Sequence, residues 1–129
     1  MTDSISISET PSLECKYGEN GYQTPAALYS SGTPDPLAID RFEVVQGAAP
    51  SYNNLCDLDR LLQPATHIAA GFDVNTGAVA SLAVAGKHGN HCGAAVGGEP
   101  VRGVSRALEG HRRAVLGGSV LLTVRLGSG

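Results

Sequence analysis

At 129 residues, with 42% apolar and 16% charged side chains, the chain has the makeup of one ordinary globular domain, with room for one core but not for two. Seventeen glycines, no tryptophan and two phenylalanines predict a light core of Ala, Val and Leu threaded by tight turns. A net charge of −3 excludes a broad basic face for nucleic acid, and no apolar run nears the roughly 20 residues that cross a membrane.

The opening stretch MTDSISISETPSLE has neither a basic start nor an apolar centre, so it is not expected to be a secretory signal. Residues 1–14 are predicted to be a flexible lead-in, 15–126 a single domain and 127–129 a tail. The run SSGTPDP between Tyr29 and Leu37 marks a loop. Phe42–Val45 predicts a short strand, ended by Gly47 and Pro50. Asn53 or Asn54 is expected to cap a helix that begins near Leu55, with Leu55, Leu58, Leu61 and Leu62 on one face and Pro64 as its stop. His67–Phe72 and Val79–Ala85 have the look of strands, joined by a turn at Asp73–Gly77. Pro100 suits the first turn of a helix running to about Glu109, with Val101, Val104 and Leu108 inward and Gly110 ending it. Val120–Leu126 predicts a last strand. Strand and helix alternate with short glycine-rich connections, so the expected fold class is α/β and layered.

One loop gathers unusual chemistry. Lys87-His88-Gly89-Asn90-His91-Cys92-Gly93 sets a cation, two imidazoles, an amide and a thiol between glycines, beyond the carboxyl end of the Val79–Ala85 strand. That is where open α/β sheets bind ligands, and glycine lets backbone approach a bound molecule closely. By itself a Lys-His pair in such a loop is ordinarily a solvated turn. A metal cluster of His88, His91 and Cys92 would need completion by His67, His111, Cys15 or Cys56, and no metal is expected. Cys92 has the character of a packed thiol. The three widely spaced cysteines form no disulfide framework, which points to a reducing cytoplasm.

Three further stretches gain meaning beside that loop: Lys16-Tyr17-Gly18-Glu19-Asn20-Gly21-Tyr22-Gln23, Gln46 through Asp57, and Ala107-Leu108-Glu109-Gly110 running on to Val115-Leu116-Gly117-Gly118-Ser119. In this order and at these intervals the four resemble the transformylase region of the bifunctional purine-biosynthesis enzyme. That enzyme formylates aminoimidazole carboxamide ribonucleotide and then closes the ring to inosine monophosphate. The likeness runs from about Lys16 to Leu122 and covers the first portion of a transformylase region.

The resemblance implies a cytidine-deaminase-like layered domain, one half of the family's duplicated pair. It implies Lys87 and His88 as the catalytic Lys-His pair, with Lys16, Tyr17, Asn54 and Asn90 holding the nucleotide. The implied donor is 10-formyltetrahydrofolate. The implied partner is a second copy or another chain carrying the missing half, because family active sites form between subunits. The chemistry suits the residues. The substrate amine is delocalised and weakly nucleophilic, so it needs a base, and imidazole exchanges a proton near neutral pH. The attacked formyl group develops an oxyanion, which an ammonium can stabilise. The zinc patterns of the deaminases, His-x-Glu and Pro-Cys-x-x-Cys, do not occur. Departures from the family pattern are Gly21-Tyr22 in place of Pro-x, His91 in the Lys-His loop, His111-Arg112 in place of Asp-Pro, and Leu116 in place of Phe. A non-catalytic nucleotide-binding or regulatory subunit is the alternative.

Overall fold

A computed structural model describes residues 3–97 and 117–124. They belong to two compact units, Met1–Asn53 and Asn54–Gly129. The predicted helix from Pro100 to Glu109 and the last residues of the predicted strand Val120–Leu126 lie outside the described residues.

In the first unit, strand β1 (Thr10–Cys15) pairs antiparallel with β2 (Ala26–Ser30), Leu13 opposite Leu28 and Cys15 opposite Ala26. Residues Thr10–Glu14, expected in the lead-in, are therefore strand. Their period-2 pattern, with Leu13 half-buried, Glu14 exposed and Cys15 buried, is what a partly covered strand requires. The predicted loop after Tyr29 is confirmed. Gly32 takes a φ of +74°, and the Asp35 carboxylate accepts the Leu37 N–H at 2.9 Å, a side-chain-closed turn. A 3-10 turn at Ile39–Arg41 follows, tied back to β2 by the Ser30 hydroxyl, which donates to Asp40. Phe42–Val45, predicted as a strand, is irregular: among the described residues it pairs with no strand, and Val45 is 94% exposed. An apolar pattern without a sheet edge to join leaves its backbone groups unladdered.

Helix α1 runs from Tyr52 to Thr76, 25 residues, and overturns three expectations at once. It starts before Asn53 and Asn54, so neither caps it; Ser51, a residue type favoured at that position, stands immediately ahead. It does not stop at Pro64. And His67–Phe72 is helix, not strand. A proline inside a helix removes one hydrogen bond and costs about 3 kcal/mol, so something must outweigh it. Asp57, Leu61 and Ala65 are buried and Ile68 packs with them, at spacings of four, four and three that hold one face across the proline. The residues beyond, Ala65, Ala69 and Ala70, are the best helix formers. Breaking at Pro64 would turn half of this stripe away from its sheet. The helix ends at Gly77, whose φ is +69° and whose N–H donates to the Asp73 carbonyl at 2.8 Å. This is the left-handed glycine cap, in place of the predicted strand-to-strand turn.

The second unit's sheet has the order β4-β3-β5, with β3 at Leu82–Lys87, β4 at Asn90–Val96 and β5 at Ser119–Leu122, all antiparallel. β3 begins three residues later than predicted and extends through Lys87. Every residue from Leu82 to Gly86 is buried, as expected of a central strand. Side chains alternate faces. Val84 packs with Leu61, Ala65, Ile68 and Leu121 on the helix side, while Ala83 and Ala85 pack with Ala95, Val120 and Leu122 on the other. Small alanines dominate, as the composition implied. In β4 the register slips by one: Gly86 faces His91 and Ala85 faces Gly93, which leaves Cys92 as a bulge. The described residues thus form a mixed α/β fold of two antiparallel sheets and one long helix. The expected crevice beyond parallel strand ends has no counterpart among them.

Candidate functional site

Lys87 and His88 sit at the tip of the β3–β4 hairpin. Where the sequence predicts a seven-residue loop, the structure has a two-residue turn, because Lys87 ends β3 and Asn90, directly opposite it, begins β4. The turn residues His88 and Gly89 have φ values of +52° and +76°. Positive φ at both centres is the type I′ turn that matches strand twist. Asn-Gly is its commonest filling; His is among the few other residues enriched in the left-handed region. An imidazole thus stands where a plain hairpin would carry an amide. His88 and Asn90 are exposed and Lys87 is half-buried. The Asn90 side-chain amide donates to the His88 carbonyl at 3.4 Å, a long contact.

The turn is held from α1. The Gly89 N–H donates to Asp57 Oδ1 at 2.6 Å, short even for a charge-assisted bond, and Asp57 is only 6% exposed. One helical turn later the Arg60 guanidinium lies against Gly89. A Cβ added at Gly89 would meet Arg60 Nη1 at 1.6 Å. Gly86 is gripped in the same way, by Leu61. Between helix and hairpin remains a crevice of about 10 Å³ bordered by Asp57, Arg60, Leu61, Lys87, Asn90 and His91. That is the space of about one water, too small for a nucleotide. Alternation puts Lys87 in the row of Ala83 and Ala85, on the face away from α1.

Lys16 and Tyr17 belong to the first unit, directly after β1. The Lys16 N–H donates to the Pro50 carbonyl at 2.9 Å, and the Tyr17 carbonyl accepts the Tyr52 N–H at 3.2 Å. The Asn53 side chain donates to the Glu19 carbonyl at 2.9 Å. The first motif is thereby stitched to the middle of the second. Lys16 Nζ stands 5.8 Å from the Tyr17 ring centroid, within cation–π range. Asn54, the third residue of α1, is exposed in the second unit. Two units divide the six predicted residues: Lys16 and Tyr17 in one, Asn54, Lys87, His88 and Asn90 in the other.

The sequence singled out neither Asp57, the last residue of the second motif, nor Arg60 as a site residue. The signal for both was present, since they lie three apart on a helix that follows directly from the Asn54-containing motif. Among the described residues, no group of three His, Cys, Asp or Glu side chains is arranged to hold a metal ion, and no helix is long and apolar enough to cross a membrane. Cys15 is buried and Cys56 and Cys92 are half-buried, all as free thiols.

Comparison with known proteins agrees with the collinear motifs. The bifunctional purine biosynthesis protein PurH of Synechococcus sp. (strain CC9311) is 38% identical over 107 residues, 83% of this chain and 19% of that protein. Its namesake from Anoxybacillus flavithermus (strain DSM 21510 / WK1) is 36% identical over 107 residues, again 83% and 19% of the two chains. The namesake from Shouchella clausii (strain KSM-K16) is 31% identical over 120 residues, 93% of this chain and 21% of that one. The chain spans about a fifth of the length of these relatives. Residues 1–128 match the family described as the AICARFT/IMPCHase bienzyme, and the chain belongs to that family.

Proposed function

We propose that the chain serves formyl transfer from 10-formyltetrahydrofolate to the amine of aminoimidazole carboxamide ribonucleotide or a related nucleotide. The observation that carries this reading is the Lys87-His88 pair at the tip of a tethered hairpin, outside the packed core and next to an exposed Asn90. Family membership supplies the chemistry, and the residue types fit it. His88 takes the proton lost by the amine as its nitrogen bonds to the formyl carbon. Lys87 donates a hydrogen bond to the oxyanion of the tetrahedral species. That species collapses by breaking the bond from the formyl carbon to the folate nitrogen, which takes the proton from His88 and leaves as the neutral amine, returning His88 to its starting state. Lys16, Tyr17, Asn54 and Asn90 hold the nucleotide. In this reading the domain has the cytidine-deaminase-like layering of half a duplicated fold. A second copy or another chain completes the site, and the protein works in the cytoplasm without a metal.

The test is calorimetric titration of the chain with aminoimidazole carboxamide ribonucleotide, followed by a formylation assay with 10-formyltetrahydrofolate, on wild type and on Lys87→Ala. The expected result is nucleotide binding together with a loss of transfer of at least about 100-fold in the variant, its unfolding midpoint unchanged. Equal transfer removes Lys87 from the chemistry. Nucleotide binding with no transfer by the wild type, alone or in its native assembly, supports instead a non-catalytic nucleotide-binding subunit.

A further inference from the structure

We infer that Asp57 is a positioning residue for the Lys87-His88 pair, acting through the Gly89 peptide; this rests on the formyl-transfer reading above. In a two-residue hairpin the closing ladder bonds belong to the flanking residues, here Lys87 and Asn90, and the N–H of the second turn residue has no ladder partner. In this hairpin that N–H meets Asp57 Oδ1 at 2.6 Å. The acceptor comes from a different element, 32 residues earlier in the chain. It is also out of place by the usual rule. Asp57 occupies the first position of the buried row that continues as Leu61 and Ala65, where an apolar residue would pack at no electrostatic cost. A carboxylate there loses hydration, and a donor aimed at it is what offsets that loss.

The grip is two-sided. Asp57 holds the amide of Gly89, and the exposed Arg60 side chain lies over its α-carbon, where it would have to move aside to admit a Cβ. Gly89 is one residue from His88 and two from Lys87, so fixing its peptide plane fixes the direction in which both side chains leave the turn. Both contacts come from the α1 side, whereas alternation sends Lys87 to the opposite face. Misplacing a reacting group by about 1 Å can cost on the order of 100-fold in rate.

The experiment uses the full chain with Asp57→Ala and Asp57→Asn. Amide hydrogen exchange reads the turn and formylation kinetics read the pair. In Asp57→Ala the Gly89 amide should exchange at least about tenfold faster, the loss of one net hydrogen bond, while the Ala83 and Ala85 amides keep their rates. The kcat for formyl transfer should fall about 30- to 100-fold, with the KM for nucleotide within about threefold. Asp57→Asn keeps an oxygen acceptor of the same shape without the charge. It should recover most of the kcat, with Gly89 exchange only about threefold above wild type. Unchanged Gly89 exchange in Asp57→Ala overturns the proposal, as does faster exchange with kcat intact. If Asp57→Ala does not fold, Asp57→Leu, which fills the same buried position without an acceptor, takes its place, and wild-type exchange at Gly89 in that variant refutes the tether. A wild-type chain that binds nucleotide without transferring formyl defeats the functional reading separately, because the exchange arm reports the turn whether or not chemistry occurs.

Discussion

Gly86→Ala offers a sharp test of how the helix is seated on the hairpin. An added Cβ would lie 2.7 Å from Leu61 Cδ2, 3.3 Å from Leu61 Cγ and 3.1 Å from the Asn90 carbonyl oxygen. Leu61 is 2% exposed, so its methyl cannot swing into solvent, and the overpacking should cost about 2 kcal/mol. Leu61→Ala alone should cost about 3 kcal/mol, from lost burial and the cavity left behind. Independent effects would then sum to about 5 kcal/mol in the double variant. They are not independent, because the new methyl enters space that the missing leucine vacates. The double variant should therefore lie only about 3 kcal/mol below wild type, a coupling of about 2 kcal/mol. The tight approach to the Asn90 oxygen offsets what the methyl gains by part-filling the cavity, so the double variant does not rise above Leu61→Ala. Urea unfolding of the four proteins, read at equal slopes, measures the cycle. Additivity to within about 0.5 kcal/mol, or a Gly86→Ala protein as stable as wild type, would refute this account of the packing.

Three further outcomes follow from the same geometry. Gly77→Ala meets no atom within 4 Å but must adopt a φ of +69°, so thermal unfolding should show a loss of about 1 kcal/mol, with Gly77→Asn losing less. Gly89→Ala collides only with the end of the exposed Arg60 side chain, which can swing aside, and keeps the strain of a positive φ. Chemical denaturation should show a cost of about 1–2 kcal/mol. Pro64→Ala restores a helix hydrogen bond worth about 3 kcal/mol with the steric relief, and returns about 1 kcal/mol of freedom to the unfolded chain. A net gain of about 2 kcal/mol in the denaturant midpoint is expected, and a loss would mean that α1 depends on its proline.

What could be read from the chain divides along a physical line. Leu61 was legible as core, because apolar residues at helical spacing have few alternatives. Val84 was legible within an unbroken apolar run. The family was legible from four motifs in collinear order. The path of the chain around them was not. His67–Phe72 is too short and too apolar for periodicity to distinguish strand from helix, and Pro64 argued locally for a stop. The competing fact is tertiary: one continuous stripe from Asp57 to Ile68 finds a sheet to cover. Phe42–Val45 failed in the opposite direction, a strand-like pattern with no edge to join. The hairpin was missed because His88 hides the familiar Asn-Gly signature, although Gly89 marked the site. Asn54 as a cap was a one-turn error of the kind that helix starts invite.

The bulge at Cys92 bears on the hairpin in one more way. Every cross-strand pair on either side of it, Gly86 with His91 and Ala85 with Gly93, would survive removal of that single residue. What would change is the added bend and twist that a bulge gives its strand. A one-residue deletion at this position therefore separates identity from direction. The same side chains would keep the same neighbours along β3, while the tip that carries Lys87 and His88 would aim elsewhere. Chains that share these motifs and differ by a residue here would present the same Lys-His pair in a different direction, with no change in the pair itself.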